Sequence, residues 1–318
     1  MKTRTLSGAA LTGIGAHRPV GREDNLAIAA RTSSTDQWIR ERSGIVTRGV
    51  AADDESVVDM ATSAAGKALA AAGVDATDLG LVLLATCSMP GPLPGGAPEV
   101  AARLGADNAG ASDIGAGCAG FAYALSLAAD TVRTGTAEHV LVIGSEKLLP
   151  MVDPDDRATA FLFGDGAGAA VVSRSATEGI GPVVWAHDGD QHAKLTIHGN
   201  PPRLAMEGRA IYRWATTTLP DLCRRACDEA GIAPADLKAF VPHQANLRIT
   251  ESVVANLGLP DSVVVARDVV ESGNTSAASV PLALVRLLEL GAVESGDPVL
   301  LFGFGAGLTA AGQVVLCP

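Results

Sequence analysis

The 318-residue chain carries 24 Lys and Arg against 35 Asp and Glu, a formal charge of −11, and 47% of its residues are hydrophobic. That is enough apolar material for one large core or two medium ones, and the negative balance repels phosphate backbones and anionic lipid, so nucleic acid and membrane are not expected partners. Five cysteines, an odd number scattered through a chain of this length, predict reduced thiols in a cytoplasmic protein rather than a disulfide framework.

The opening stretch, MKTRTLSGAALTGIGAHRPVG, places basic residues before small apolar ones. Glycines interrupt that run and it is too short to span a bilayer, so it reads as a first strand and not as a leader. ESVVDMATSAAGKALAAAG (55–73) has helical apolar spacing and stops at glycine. LGLVLLAT (79–86) is a short apolar run bounded by turn signals, as expected of a strand buried on both faces. TCSMPGPLPGGAPEV (86–100) holds four prolines and three glycines and predicts a fixed loop rather than a helix. A second helical stretch follows the glycines around Cys118, and HVLVIG (139–144) and PVLLFG (298–303) read as further buried strands. His187, His192 and His198 are too loosely spaced for a metal site and read as loop or strand-end residues. Cys223 and Cys227, four apart in CRRAC, fit the buried face of a helix, since no second pair with zinc spacing accompanies them. No metal site is expected.

The chain repeats itself. AAGVDATDLGLVLLA (71–85) matches EAGIAPADLKAFVPH (229–243), with Gly73 paired to Gly231, Asp78 to Asp236 and Leu79 to Leu237, each 158 residues apart. A glycine-rich turn, a helix and two apolar strands then follow in both copies, in the same order. The expected architecture is therefore α/β, two βαβ-type halves packed in layers, one spanning 1–175 and the other 176–318. Duplication sets equivalent loops face to face, so Cys118 and Asn274 should lie near one another, with Ala85 and His243 at equivalent strand ends and a shared site between the halves.

GAGCAG (115–120) has the spelling of a dinucleotide-binding loop. It also fits a thiol nucleophile, because a helix start lowers the pKa of a cysteine and glycines let a partner approach the sulfur; a third reading is a small buried cysteine that only packs. His243 in VPHQANLRI and Asn274 in ESGNTSAAS favour the nucleophile, since the repeat brings both to the same thiol.

GAGCAGFAYAL, DDRATAFLFGDGAGAA, VPHQANLRI, GNTSAASVPLAL and GFGAGL together resemble the motifs of the ketosynthase III family (β-ketoacyl-acyl-carrier-protein synthase III), within the thiolase superfamily, from about Thr5 onward. The resemblance implies a five-layered αβαβα thiolase-like fold, a homodimer, and acylation of Cys118 by an acyl-CoA starter. Decarboxylative condensation with a malonyl thioester, carried by an acyl carrier protein or a related group, would follow. It assigns the catalytic set to Cys118, His243 and Asn274, the last two as neutral donors to thioester oxygen, and the acyl oxyanion to the N–H groups of Cys118 and Ala306. Family members usually have glycine where Ala306 stands, and only its N–H is used. Coenzyme A thioesters enter as substrates, and no cofactor is implied.

The resemblance further implies that Trp38 and Arg42 sandwich the adenine of coenzyme A, that Arg157 meets its phosphates, and that Asn246 and Arg248 line the pantetheine channel and its mouth. Phe304 falls beside the thiol, and Met89 and Leu93 fall in a segment where the family builds part of its acyl pocket, partly across the dimer interface. Two departures stand out. After Arg248 the chain continues ITESVVANLGLP, with Glu251 and no lysine, where the family has basic residues for its acidic carrier; Arg203, Arg209 and Arg213 are the candidates to compensate. The proline-rich 86–100 segment predicts a reshaped, wider acyl pocket and a role beyond primary fatty-acid synthesis. Two alternatives accompany this reading: an acyltransferase of the same fold acting on an alcohol or amine, and a non-catalytic thioester-binding partner subunit.

Overall fold

The computed structural model describes residues 7–318; the first six residues of the opening stretch lie outside them. In the first half the elements run β1 (Gly8–His17), β2 (Gly21–Asp24), α1 (Asn25–Thr32), α2 (Asp36–Ser43), β3 (Thr47–Val50), α3 (Val57–Ala72), β4 (Leu79–Ala85), α4 (Ala97–Leu104), β5 (Gly110–Ile114), α5 (Gly120–Arg133), β6 (His139–Glu146) and β7 (Gly166–Ser175). The second continues with β8 (Val184–His187), β9 (Leu195–His198), β10 (Arg203–Met206), α6 (Gly208–Ala230), β11 (Ala239–Pro242), α7 (Leu247–Leu257), β12 (Val264–Val265), α8 (Val269–Ser272), α9 (Ser279–Glu289), β13 (Pro298–Gly305) and β14 (Thr309–Leu316).

Two five-stranded sheets carry the fold, ordered β1-β7-β6-β4-β5 and β8-β14-β13-β11-β12. Each pairs its central strands in parallel (β4 with β5 and β6; β11 with β12 and β13) and closes with antiparallel neighbours, so the two sheets are copies in order and direction. Helices α5 and α9 lie between the sheets, in a core that includes Phe121, Leu125, Leu284, Val142 and Leu301. Alanine-rich α3 packs with α4 outside the first sheet, and α6 with α7 outside the second. The result is the five-layered αβαβα arrangement. Among the described residues no helix is long and apolar enough to cross a membrane.

Helix boundaries follow local chemistry. Ser56 and Asp59 form a reciprocal capping box that starts α3, and Gly73 ends it in the left-handed region (φ 63°). One boundary corrects the sequence reading: the 86–100 segment is loop only to Gly96, and α4 begins at Ala97. Pro98 sits in the first turn of α4, where its missing N–H has no helical partner to lose.

Candidate active site

The turn before α5 and the turn before α9 are duplicates. Gly117 (φ 50°) and Ser276 (φ 47°) occupy equivalent left-handed positions, and each opens a 3-10 turn that runs into its helix. Glycine takes this conformation freely; a serine held there, buried, is strained. Cys118 follows Gly117 and is buried, and the two turns touch across the middle of the molecule. Gly305, at the end of β13, presses its backbone on the nucleophile: a Cβ there would lie 2.7 Å from Cys118 Cβ and 3.1 Å from its sulfur. Ala306 follows immediately and shares a cavity wall with Cys118.

Asn274 is fixed by its backbone, since its N–H donates to Leu162 O (2.8 Å) and its carbonyl accepts from Gly164 N–H (3.1 Å). Its side-chain Oδ1 accepts the Ser276 N–H at 2.9 Å, which leaves Nδ2 as the group free to donate. His243 follows directly on β11, held by its N–H to Phe302 O (2.6 Å), and its ring meets Phe304 edge-on at 5.0 Å. Its Nδ1 is 2.7 Å from Ser279 Oγ, and among the described residues Nε2 has no protein partner. Burial pushes His243 down to about 3, so the imidazole is neutral near neutral pH and carries a single N–H.

Three connected spaces lead to and from these groups. An open cleft of about 990 Å³ is lined by Trp38, Arg42, Arg157, Tyr212, Asn246 and Arg248. It shares Leu162, Met206 and Asn246 with a narrow passage of about 60 Å³ that Cys118, His243, Asn274 and Phe304 line. Beyond the thiol, sharing Cys118, Phe163 and Leu195, an inner cavity of about 370 Å³ is walled by Thr86, Cys87, Leu148, Ile197 and Leu204. The structure thus brings Cys118, His243, Asn274 and Phe304 to one passage, and Trp38, Arg42, Arg157, Asn246 and Arg248 to its outer mouth.

At that mouth, the guanidinium of Arg157 lies 4.6 Å and that of Arg42 5.2 Å from the centre of the Trp38 ring. Arg248 lies 5.7 Å from the centre of the Tyr212 ring, and Asn246 caps α7 by accepting the Ile249 N–H. Arg209 and Arg213, on α6, line the same cleft; Arg203 instead donates to Pro150 O.

Met89 and Leu93 do not line the inner cavity of this chain: Met89 packs with the core on the α3 and α4 side, and Leu93 is 86% exposed. The cause is Glu146, which is fully buried and gathers the N–H of Cys87 (3.1 Å) and the hydroxyls of Thr86 (3.2 Å) and Ser88 (2.5 Å). That anchor holds Thr86 to Ser88, just past the end of β4, and the loop then leaves the cavity wall. One expectation is corrected at the thiol. Burial pushes Cys118 up to about 12, and the Ser276 hydroxyl and its own N–H offset this only in part. Cys223 and Cys227 are buried in the core on α6, and His187, His192 and His198 sit at strand ends and in a turn.

Sequence reasoning did not single out Ser276, Ser279, Glu146, Cys87 or the β9–β10 hairpin. The two serines were findable: they stand at the duplicate positions of Gly117 and Gly120.

Comparison with known proteins agrees with this geometry. Residues 112–189 match the model for 3-oxoacyl-[acyl-carrier-protein] synthase III, and residues 227–317 match the model for its C-terminal region. The chain is 50% identical to β-ketoacyl-[acyl-carrier-protein] synthase III 2 of Streptomyces avermitilis, over 98% of this chain and 100% of that protein. It is 46% identical to the mycobacterial β-ketoacyl-[acyl-carrier-protein] synthase III of Mycobacterium avium, over 97% and 95% of the two chains. Among solved structures, it superposes on the priming β-ketosynthase of the R1128 polyketide pathway with a TM-score of 0.98 at 43% identity, covering 100% and 98% of the chains. For the 3-oxoacyl-[acyl-carrier-protein] synthase III of Aquifex aeolicus the TM-score is 0.92 at 36% identity, with 97% and 100% covered. The chain belongs to the 3-oxoacyl-[acyl-carrier-protein] synthase III family of condensing enzymes.

Proposed function

We propose that this acyltransferase primes chain synthesis by loading an acyl starter from coenzyme A on Cys118 and condensing it with a malonyl thioester. In the first step the Cys118 sulfur bonds the acyl carbon, the bond to the coenzyme A sulfur breaks, and the thiol proton ends on that sulfur. The oxyanion of this step takes the N–H groups of Cys118 and Ala306. In the second step the malonyl carbon–carboxylate bond breaks, CO2 leaves, and the electron pair forms a thioester enolate. The enolate carbon attacks the acyl carbonyl and the bond to Cys118 breaks, releasing the Cys118 thiolate, which takes a proton from water to return the thiol. The substrates' own bonds supply the electrons throughout, so no redox or prosthetic group enters the scheme.

The observation that carries this reading is the pair of neutral donors, His243 Nε2 and Asn274 Nδ2, facing the passage that holds the thiol. Their remaining side-chain groups are already tied to Ser279 and Ser276. Two fixed donors fit a developing enolate oxygen, and an acyl transfer to an alcohol or amine has no use for the second. The inner cavity supports a starter larger than acetyl: that group, about two water volumes of ~30 Å³ each, leaves most of its 370 Å³ empty. Medium-length or branched acyl groups match the apolar wall of Leu148, Ile197 and Leu204. Arg209, Arg213 and Arg248 give the mouth a basic rim in an acidic chain, which favours an anionic acceptor such as an acyl carrier protein. We also read the chain as a homodimer. Leu93 stands exposed on a loop whose Gly96 N–H donates to Asp113 of β5, and β5 is an open sheet edge beside it.

The test is one incubation with an acyl-CoA panel and carboxyl-labelled malonyl thioester. The expected result is an acyl adduct on Cys118, absent from Cys118→Ala, and one CO2 released per condensation. An adduct discharged to an alcohol or amine without CO2 release would refute condensation. Light scattering tests the dimer, and a monomeric mass would refute it.

A further inference from the structure

Ser279 opens α9 and is 1% exposed, and His243, at 2%, lies against it. The Ser279 hydroxyl makes two hydrogen-bond contacts among the described residues: Gln244 N–H at 3.2 Å and His243 Nδ1 at 2.7 Å. A backbone N–H can only donate, so toward Gln244 the hydroxyl oxygen is an acceptor. Its own proton then has one acceptor in reach, the lone pair of Nδ1. The opposite arrangement, with the ring proton on Nδ1, leaves a buried hydroxyl proton without a partner, which protein interiors avoid. Phe304 packs edge-on against the ring at 5.0 Å, and both residues line the passage. The duplication gives an internal comparison. In the first half the positions equivalent to Ser279 and His243 are Gly120 and Ala85, which simply pack, a Cβ on Gly120 coming 2.8 Å from Ala85 Cβ. The hydroxyl is present in the half that carries the imidazole.

We propose that Ser279 is a positioning residue: it donates its hydroxyl proton to His243 Nδ1 and holds the imidazole as the Nε2–H tautomer, aiming its one N–H at the reacting thioester oxygen. This deepens the reading of His243 as an enolate donor and rests on it. The neutral ring expected from its burial is the state in which a tautomer has meaning.

The test begins with the unmodified enzyme labelled with 15N-histidine, the His243 signals being assigned by their loss in His243→Gln. The expected spectrum shows Nε2 protonated and Nδ1 a hydrogen-bond acceptor; a proton on Nδ1 overturns the proposal. Ser279→Ala should lower malonyl decarboxylation about ten-fold, the rate equivalent of one hydrogen bond's net contribution, while Cys118 still takes its acyl adduct in full. Ser279→Thr, which keeps the hydroxyl, should restore the rate. A folded Ser279→Ala enzyme that decarboxylates at the full rate overturns the proposal; if that variant does not fold, the spectrum of the unmodified enzyme decides. His243→Gln separates the two levels: if it decarboxylates normally, the donor reading falls, while the spectrum still judges the tautomer.

Discussion

Asn274→Asp separates donation from architecture at the active site. The acid keeps an oxygen at the place of Oδ1, so it still accepts the Ser276 N–H at 2.9 Å and preserves the left-handed turn that shapes the cavity wall. The backbone bonds to Leu162 and Gly164 are untouched. What changes is the other atom: an N–H donor facing the passage becomes an oxygen acceptor beside a forming enolate. Removing one donor of this kind costs about 100- to 1000-fold in rate, and a like charge in its place sets that as a floor. On the proposed mechanism, acylation of Cys118 draws on the N–H groups of Cys118 and Ala306 instead, so adduct formation should stay within about ten-fold of the unmodified enzyme. Intact mass after a timed acyl-CoA pulse reads the first step, and release of labelled CO2 from the malonyl donor reads the second. Decarboxylation within ten-fold of the unmodified rate, or equal loss of both steps, would refute the assignment of Nδ2 as an enolate donor.

Gly305→Ala forces a Cβ to 2.7 Å from Cys118 Cβ, so β13 or the nucleophile must shift; urea melts should show a loss of about 1–3 kcal/mol, and Cys118 acylation should fall by more than the melt explains. Leu204→Trp fills the inner cavity from the hairpin side, and in an acyl-CoA competition it should move the preferred starter to the shortest acyl group; an unchanged preference would show that the starter lies elsewhere. Below pH 6.5 the unfolded chain protonates His243 while the folded chain, with that pKa lowered to about 3, does not. The contribution is thus present above 6.5 and lost as pH falls toward 3. Between pH 7 and 5 this linkage amounts to about 2 kcal/mol, so His243→Gln should lose that much less stability than the unmodified protein over the same interval, read by urea denaturation at each pH.

The residues legible in the sequence were those that a short motif fixes locally. Cys118, His243 and Asn274 each sit where a strand end or a left-handed turn dictates the backbone, and the 158-residue offset tied those places together. The inner wall was not legible, because it depends on the β9–β10 hairpin, which forms a two-stranded sheet of its own outside the two five-stranded sheets that the repeat predicts. The course of the loop that carries Met89 and Leu93 was not legible either, because the bend after Ser88 is held by Glu146, 58 residues away in the chain. The thiol pKa was misjudged for a similar reason. A helix start is visible in sequence, whereas the burial that pushes the thiol up comes from packing, Gly305 included.

The duplication also explains why the two turns meet so closely. Gly144 ends up against the second half, where a Cβ would lie 2.4 Å from Ala277 O, and its duplicate, Gly303, ends up against the first, where a Cβ would lie 3.0 Å from Ala119 Cα. Each glycine belongs to the strand behind one turn and clears space for the turn of the other copy, so the contact is reciprocal, as a pseudo-twofold axis requires. With both backbones brought that near, the side chains at the axis divide the work. Cys118 belongs to the first copy, while Ser276, Ser279, His243 and Asn274 belong to the second. A symmetric scaffold has thereby become an asymmetric site, while the strand order and the left-handed turn remain common to both halves.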